Sequence, residues 1–286
     1  MELRMFRTLW GASGDIDTIA AEAVANGFQG LEGQIPETAE ERAALAAALD
    51  RYGLLYIAEI TTAGSYVPNR RASVDDHMLS LAQRLAWARE LNPQFITCIG
   101  GCDAWPFTAS LRFFRAAIAL AEHESLVISF ETHRSRSLYN PWITADFARA
   151  IPQLRFTFDF SHWCVVCERL LDTEIDTIVQ LAPQAHHIHA RVGYDQGPQV
   201  PHPAAPEYAA ALHAHQHWWE ILWAAMAQQG RQVITMTPEF GPDGYLQELP
   251  FTRIPVADLW EINRWMAGTE RVHFSRWAEA QSRRSA

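Results

Sequence analysis

Lysine is absent from this chain of 286 residues, so all 23 of its basic residues are arginine. Schiff-base aldolase chemistry, attachment of pyridoxal phosphate and the lysine-dependent phosphate loop all need an amine that can share or lose its proton. A guanidinium keeps its charge under any ordinary condition. The sequence therefore excludes these three classes of mechanism.

Long apolar runs are missing as well. No run of about 18 apolar residues without charge occurs, and the amino terminus MELRMFRTLW lacks a basic segment followed by an apolar one. We therefore expect a cytoplasmic protein with neither a membrane span nor a signal peptide. Because the net charge is −10, we expect no nucleic-acid or membrane partner and a small molecule as ligand.

Two further kinds of site have little support. After the first predicted strand, LWGASGDID holds only a loose pair of glycines, which is not the glycine-rich turn of a dinucleotide-binding fold. The chain has four cysteines, and each lies in or just after an apolar run. We interpret them as buried free thiols rather than as a zinc or redox site. They are Cys98, Cys102, Cys164 and Cys167.

What the chain does contain is a regular alternation of strand and helix patterns. Apolar, β-rich runs occur at about residues 3–9, 27–32, 54–60, 94–99, 126–131, 154–159, 186–191 and 232–239. Strict alternation with helices indicates a parallel sheet, and eight repeats in one chain of this length close most simply into a barrel. The predicted fold class is α/β, a (β/α)8 TIM barrel forming a single domain over residues 1–286, with a C-terminal helical extension from about residue 258.

Polar residues recur where the fifth to eighth predicted strands end. Side chains alternate along a strand, so the polar residues of each motif share one face, and burying carboxylates against the surrounding helices would be costly. We therefore expect them to point into the barrel at its catalytic end. The motifs are VISFETH with Glu131 and His133, RFTFDFSHW with Asp159, His162 and Trp163, HHIHARVG with His187, His189 and Arg191, and ITMTPEF with Glu239.

Three carboxylates that meet in one place repel each other and would be forced into partial protonation. A divalent cation is the simplest way to stabilise such a group. Carboxylate oxygens with one imidazole favour Mn²⁺, Mg²⁺ or Co²⁺, and Zn²⁺ is also compatible with these ligands.

At these motifs the chain resembles the xylose isomerase-like barrel superfamily, in the branch of tagatose 3-epimerase, hydroxypyruvate isomerase and inosose dehydratase. The shared features are a Glu ending the fifth strand, Asp-x-x-His after the sixth, His-x-His in the seventh and a Glu ending the eighth. The resemblance implies one divalent metal ion bound by Glu131, Asp159, His189 and Glu239. It also implies that Glu131 and Glu239 act as acid and base, and that His162 contacts a substrate oxygen.

The predicted function is a divalent-metal-dependent isomerase or epimerase that acts on a ketose or a related sugar or polyol. A chelated ketose loses a proton beside its carbonyl to give an enediolate, and the position of reprotonation decides the product. If a hydroxyl leaves instead, the enzyme is a dehydratase. The remaining residues assigned to substrate binding are Arg191, His133, His187 and Trp163.

Two other classes of protein stay open as alternatives. An endonuclease IV-type nuclease would need further metal ligands, but the fourth strand ends ITCIGG without histidine and no Asp-x-His follows His189. A non-catalytic sugar-binding barrel would have no need for paired glutamates. The oligomeric state is also open, with a homo-oligomer among the alternatives.

Overall fold

The fold is a closed barrel of eight parallel strands, as the sequence predicts. The computed structural model describes residues 1–285. Each strand pairs with its neighbour in the chain, and β1 closes the ring by pairing residues 2–5 with residues 233–236 of β8. The strands are β1 Glu2–Thr8, β2 Gly30–Gln34, β3 Leu55–Thr61, β4 Ile96–Ile99, β5 Ile128–Glu131, β6 Phe156–Phe158, β7 Ala185–His189 and β8 Val233–Thr237.

Helices follow the strands and pack around the barrel. Their first turns are fixed by polar caps: Asp15 accepts a hydrogen bond from the Thr18 amide, and Ser73 forms a capping box with Asp76. The helices are α1 Ile16–Ala25, α2 Ala39–Tyr52, α3 Val74–Ala88, α4 Phe107–His123, α5 Pro141–Ala150, α6 Phe160–Cys167, α7 Ile175–Leu181, α8 Ala209–Gln228 and α9 Leu259–Ser285. Within residues 1–285, no helix combines the length and apolar character needed to cross a membrane.

Three strands end earlier than the sequence suggests. Asp159 caps α6, Arg191 follows β7 by two residues, and Glu239 follows β8 by two. The chain is already turning towards the helices at these positions, and apolar periodicity alone does not mark that turn. These three side chains therefore lie on the loops at the catalytic end of the barrel.

The inside of the barrel has an apolar base and a polar layer above it. Phe6, Ile57 and Phe95 form a small buried cluster of their own. Gly30 is required beside it, because a Cβ there would come within 2.3 Å of the Phe6 ring. Hydrogen-bonded hydroxyls lie above, as in the 2.9 Å bond that Thr157 donates to Ser129. This layer is the floor of the candidate site.

Outside the barrel, the helices are packed through aliphatic and aromatic side chains. The four cysteines are free thiols, and Cys98, Cys102 and Cys164 are buried as the sequence predicts, whereas Cys167 is only partly buried. Between β8 and α9 the chain forms a short antiparallel hairpin that the sequence did not indicate. Its strands are β9 Glu248–Leu249 and β10 Ile254–Pro255.

Candidate active site

Three carboxylates and one imidazole meet at the carboxyl end of the barrel. Each residue offers one ligand atom, and the four atoms lie within 4.8 Å of one another. His189 Nδ1 lies 3.1 Å from Glu239 Oε2 and 3.7 Å from Glu131 Oε2. The structure thus brings together the four residues predicted as metal ligands, here called the acidic cluster: Glu131, Asp159, His189 and Glu239.

The acidic cluster fits a divalent cation. Among residues 1–285, Glu131 Oε2 and His189 Nδ1 are both buried and neither has a hydrogen-bond partner. Buried polar atoms without partners are costly, and these two lie 3.7 Å apart. A cation between them would satisfy both, and the carboxylates of Asp159 and Glu239 complete a set of oxygen and nitrogen donors.

Protonation in the acidic cluster reflects burial and charge crowding. Burial raises the pKa of Glu131 to about 7, with His189 opposing and the neighbouring carboxylates reinforcing this shift. Burial also raises the pKa of Asp159, against the influence of Arg191. For His189, burial favours the neutral ring, but Glu239, Glu32 and Glu131 outweigh it and hold its pKa well above the usual value. The bare cluster therefore holds protons that a cation would displace.

Glu32 is a residue of the site that the sequence analysis missed. It lies on β2, and its Oε1 is 3.1 Å from His189 Nε2, the ring nitrogen that faces away from the acidic cluster. Thr97 donates a 2.8 Å hydrogen bond to the same oxygen. A carboxylate behind a metal-binding imidazole fixes its tautomer and ring orientation. The available signal was a charged residue at the end of the predicted strand 27–32.

His187 occupies a lower layer than the acidic cluster. Its Nε2 lies 3.0 Å from Glu32 Oε2 and its Nδ1 lies 2.7 Å from Thr235 Oγ1. The ring packs against Phe6 and Phe95 of the apolar base. The structure therefore does not bring His187 to the mouth of the site, and its contacts are those of a residue that supports Glu32.

Trp163 is likewise not part of the site, which corrects the sequence-based assignment to substrate binding. Its ring is fully buried against Phe158 and Phe160, and its Nε1 donates a 2.9 Å hydrogen bond to the carbonyl of Leu138. Trp163 follows His162 on α6, and adjacent helical residues point about 100° apart. While His162 faces the acidic cluster, Trp163 faces the layer between barrel and helices.

His162 and His133 line one side of the acidic cluster. His162 Nε2 lies 3.5 Å from Glu131 Oε1, and the two imidazole rings lie 3.9 Å apart. Burial holds the pKa of both histidines well below the usual value, so both rings are neutral. Arg191 Nη2 lies 2.8 Å from His162 Nε2 and donates to it. This bond makes His162 Nε2 unavailable to a second cation beside Glu131.

Arg191 points inward, as its parity with His189 predicts, and it is fully engaged. Its Nη2 is paired with Asp159, its Nε donates a 3.1 Å hydrogen bond to Ser161, and its Nη1 lies 3.6 Å from Glu239 Oε2. Arg191 thus holds two residues of the acidic cluster in place.

Three aromatic side chains close the site, here called the aromatic lid: Trp10, Tyr66 and Tyr245. The Trp10 ring lies 5.5 Å from Tyr66 and 4.9 Å from Tyr245. Together with Glu131, His133, Arg191 and Glu239, they line a cavity of about 10 Å³. That volume holds about one water molecule. A ligand larger than a water molecule can therefore enter only after the aromatic lid moves.

The comparisons with known proteins agree with this fold. A model of the xylose isomerase-like TIM barrel matches residues 20–215. The chain belongs to the xylose isomerase-like TIM barrel family. No curated protein sequence matches it significantly.

Solved structures support the same family fold. The structure of L-ribulose 3-epimerase is similar, with a TM-score of 0.68 and 13% identity over 99% of this chain and 98% of that one. The IOLI protein, whose crystal structure holds a zinc atom, has a TM-score of 0.64 and 12% identity over 97% of this chain and 99% of that one. Endonuclease IV from Thermus thermophilus has a TM-score of 0.59 and 13% identity over 96% of this chain and 99% of that one. At these identities the likeness shows the fold alone.

In this xylose isomerase-like barrel, one buried arginine anchors the loop that carries Tyr66. Arg136 Nε donates a 3.0 Å hydrogen bond to the Tyr66 carbonyl, and Nη1 donates to the carbonyls of Thr62 at 2.8 Å and Gly101 at 3.1 Å. Its Nη2 bonds the Ser65 carbonyl. Burial lowers the pKa of Arg136 to about 10. Arg136 therefore holds the loop between β3 and α3 in place.

Proposed function

We propose that the protein is a divalent-metal-dependent isomerase or epimerase that acts on a ketose or a related sugar or polyol. The observation that carries this proposal is the acidic cluster, in which Glu131 and Glu239 both approach His189 Nδ1, at 3.7 and 3.1 Å, within one buried pocket. A non-catalytic sugar-binding barrel would need neither the paired glutamates nor the two buried atoms without hydrogen-bond partners, Glu131 Oε2 and His189 Nδ1.

The residues that would hold the cation are those of the acidic cluster, and its donors favour Mn²⁺, Mg²⁺ or Co²⁺, with Zn²⁺ also compatible. The chemistry that such a cation supplies when bound is Lewis acidity towards a carbonyl and an adjacent hydroxyl. Glu32 would keep the imidazole of His189 oriented, and Arg191 would keep the carboxylate of Asp159 oriented.

Proton transfer is assigned to Glu131 and Glu239. They reach the pocket from different strands, so one can take the proton beside the carbonyl while the other returns a proton to the opposite face. With a cation bound, the carboxyl group of Glu131 would be ionised and able to act as a base. His162 and His133, both neutral, would hydrogen-bond substrate oxygens. The closed aromatic lid would exclude water from the enediolate.

Sugar substrates are also consistent with the similar solved structures, which include an L-ribulose 3-epimerase. The likeness to endonuclease IV covers the same fold, but the nuclease alternative has weaker support. The chain carries a net charge of −10, which repels nucleic acid, and the hydrogen bond from Arg191 leaves Nε2 of His162 unavailable to a further ion.

The test is proton exchange in D₂O. Protein loaded with Mn²⁺ is incubated with a panel of ketoses and followed by NMR. We expect deuterium to enter at the carbon beside the carbonyl, and the same spectra separate epimerisation, isomerisation and loss of water. Glu131→Gln and Glu239→Gln should each lose a factor of roughly 10²–10⁴ in turnover, because they keep an oxygen ligand but lose the base.

Glu59→Gln is the matched control. Glu59 is also buried and faces the barrel interior, but burial and the charges of Glu239 and Glu131 raise its pKa well above the usual value. It is therefore already a neutral acid, and the amide should retain most of the activity. Absence of exchange with every ketose, or full activity in both cluster variants, would show that the proposed function is wrong.

A further inference from the structure

Three arginines lie close to His133 at one side of the site, and two of them have no free donors for a ligand. Arg191 is engaged by Asp159, Ser161 and His162. Arg136 gives its donors to backbone carbonyls of the loop that carries Tyr66. Arg134 is the remaining arginine.

Arg134 differs from both. It follows Glu131 by three residues and is partly exposed. Its guanidinium forms no hydrogen bond or ion pair with residues 1–285, and it lies 4.9 Å from the centre of the Tyr245 ring. Arg191 lies 4.8 Å from the centre of that same ring. One side chain of the aromatic lid therefore connects the acidic cluster to an arginine whose donors are unused.

The positive charge of Arg134 is not neutralised by the other charges of the site. Glu131, Asp159 and Glu239 together carry three negative charges when a cation is bound. A divalent cation and the Arg191 guanidinium balance them. The positive charge of Arg134 then faces the mouth with no carboxylate beside it, which favours a ligand that brings its own negative charge.

We propose that the substrate carries an anionic group, a carboxylate or a phosphate, which Arg134 binds at the end of the molecule remote from the acidic cluster. This inference rests on the proposed function, because the acidic cluster sets where the reacting end of the substrate lies. A guanidinium matches both anions, since its planar donors pair with two oxygens at once. In a chain without lysine, a free arginine is the group suited to this task.

The test measures binding without turnover. The Mn²⁺-loaded protein is titrated by calorimetry with ribitol, ribonate and ribitol 5-phosphate, three five-carbon ligands that cannot undergo the reaction. We expect the wild type to bind at least one of the two anions about tenfold or more tightly than ribitol, which is the size of effect expected of a charge-assisted hydrogen bond. Whichever anion binds more tightly identifies the carboxylate or the phosphate as the group recognised.

Arg134→Gln should reduce that preference to within about twofold, while ribitol binds as before. Arg70→Gln is the matched control, because Arg70 is exposed on another loop at the same end of the barrel and loses the same charge. It should keep the full preference. A circular dichroism spectrum and melting temperature like those of the wild type would confirm that Arg134→Gln is folded.

Two results would overturn the proposal. One is a wild type that binds ribitol as tightly as both anions. The other is a folded Arg134→Gln that keeps the preference, which would place the anion on the cation or on another group. Because these titrations need no catalysis, their outcome is independent of the exchange experiment in D₂O, and a failure of one proposal is distinguishable from a failure of the other.

Discussion

At the scale of single residues, His189 shows how one ring can serve two layers of the barrel. Its Nδ1 faces the acidic cluster and its Nε2 lies 3.1 Å from Glu32. Glu32 in turn accepts a hydrogen bond from Thr97. Burial opposes the charge of Glu32, but His187 and His189 outweigh it and hold the pKa of this carboxyl well below the usual value. Glu32, in the layer beneath the acidic cluster, therefore sets the orientation of the His189 ring.

Glu32→Gln should weaken metal binding by roughly 10–100-fold, because the amide keeps the shape but no longer holds the Nε2–H of His189 with a negative charge. Competition of Mn²⁺ with a fluorescent chelator would measure the change. Glu40→Gln, at an exposed position of α2, serves as the control. Equal affinity in the two variants would mean that Glu32 is only a structural partner of the polar layer.

The sequence predicted the acidic cluster because four successive strands each end in a polar residue, and the carboxyl ends of parallel strands meet. It did not predict Glu32, which lies on the opposite side of the barrel and is brought to His189 only by closure of the ring. Nor did it separate His162 from Trp163, since strand alternation ends at Asp159 and the next residues follow the helical period of α6.

At the scale of elements, the loop between β3 and α3 depends on a residue from another loop. Arg136 is buried and bonds the carbonyls of Thr62, Ser65 and Tyr66. The contact between Arg136 and this loop could not be predicted from the sequence, because the acceptors are backbone carbonyls, which every residue type carries.

Arg136→Met should cost at least about 3 kcal/mol of unfolding free energy, because several buried carbonyls lose a charged donor. Urea denaturation would measure it. The loop should also open, so trypsin should cut faster at Arg70 and Arg71, which are exposed in the same segment. Arg115→Met, on the outside of α4, is the control. Unchanged cleavage with unchanged stability would show that the loop holds itself.

At the scale of the whole molecule, the acidic cluster joins the ends of four strands, so binding of a cation there should stabilise the entire barrel. Mn²⁺ at about 100 times its dissociation constant should stabilise the fold by roughly 2.7 kcal/mol. Asp159→Asn and His189→Ala should remove most of this gain. A melting temperature that is the same with metal and with chelator, in protein shown to be metal-free, would contradict the site.

The stabilisation of the fold by Mn²⁺ should also depend on pH. The pKa of His189 is raised and that of Glu131 lies at about 7, so both hold protons at pH 6 that a cation must displace. At a fixed concentration of Mn²⁺ the stabilisation should therefore be larger at pH 8 than at pH 6.

The closure of the barrel by its first and last strands has a consequence for synthesis of the chain. Residues 2–5 of the first strand pair with residues 233–236 of the last strand. At about 5–20 residues per second, the ribosome needs tens of seconds to deliver them. Throughout that time the first strand has one unpaired edge, which is open to pairing with a strand of another chain.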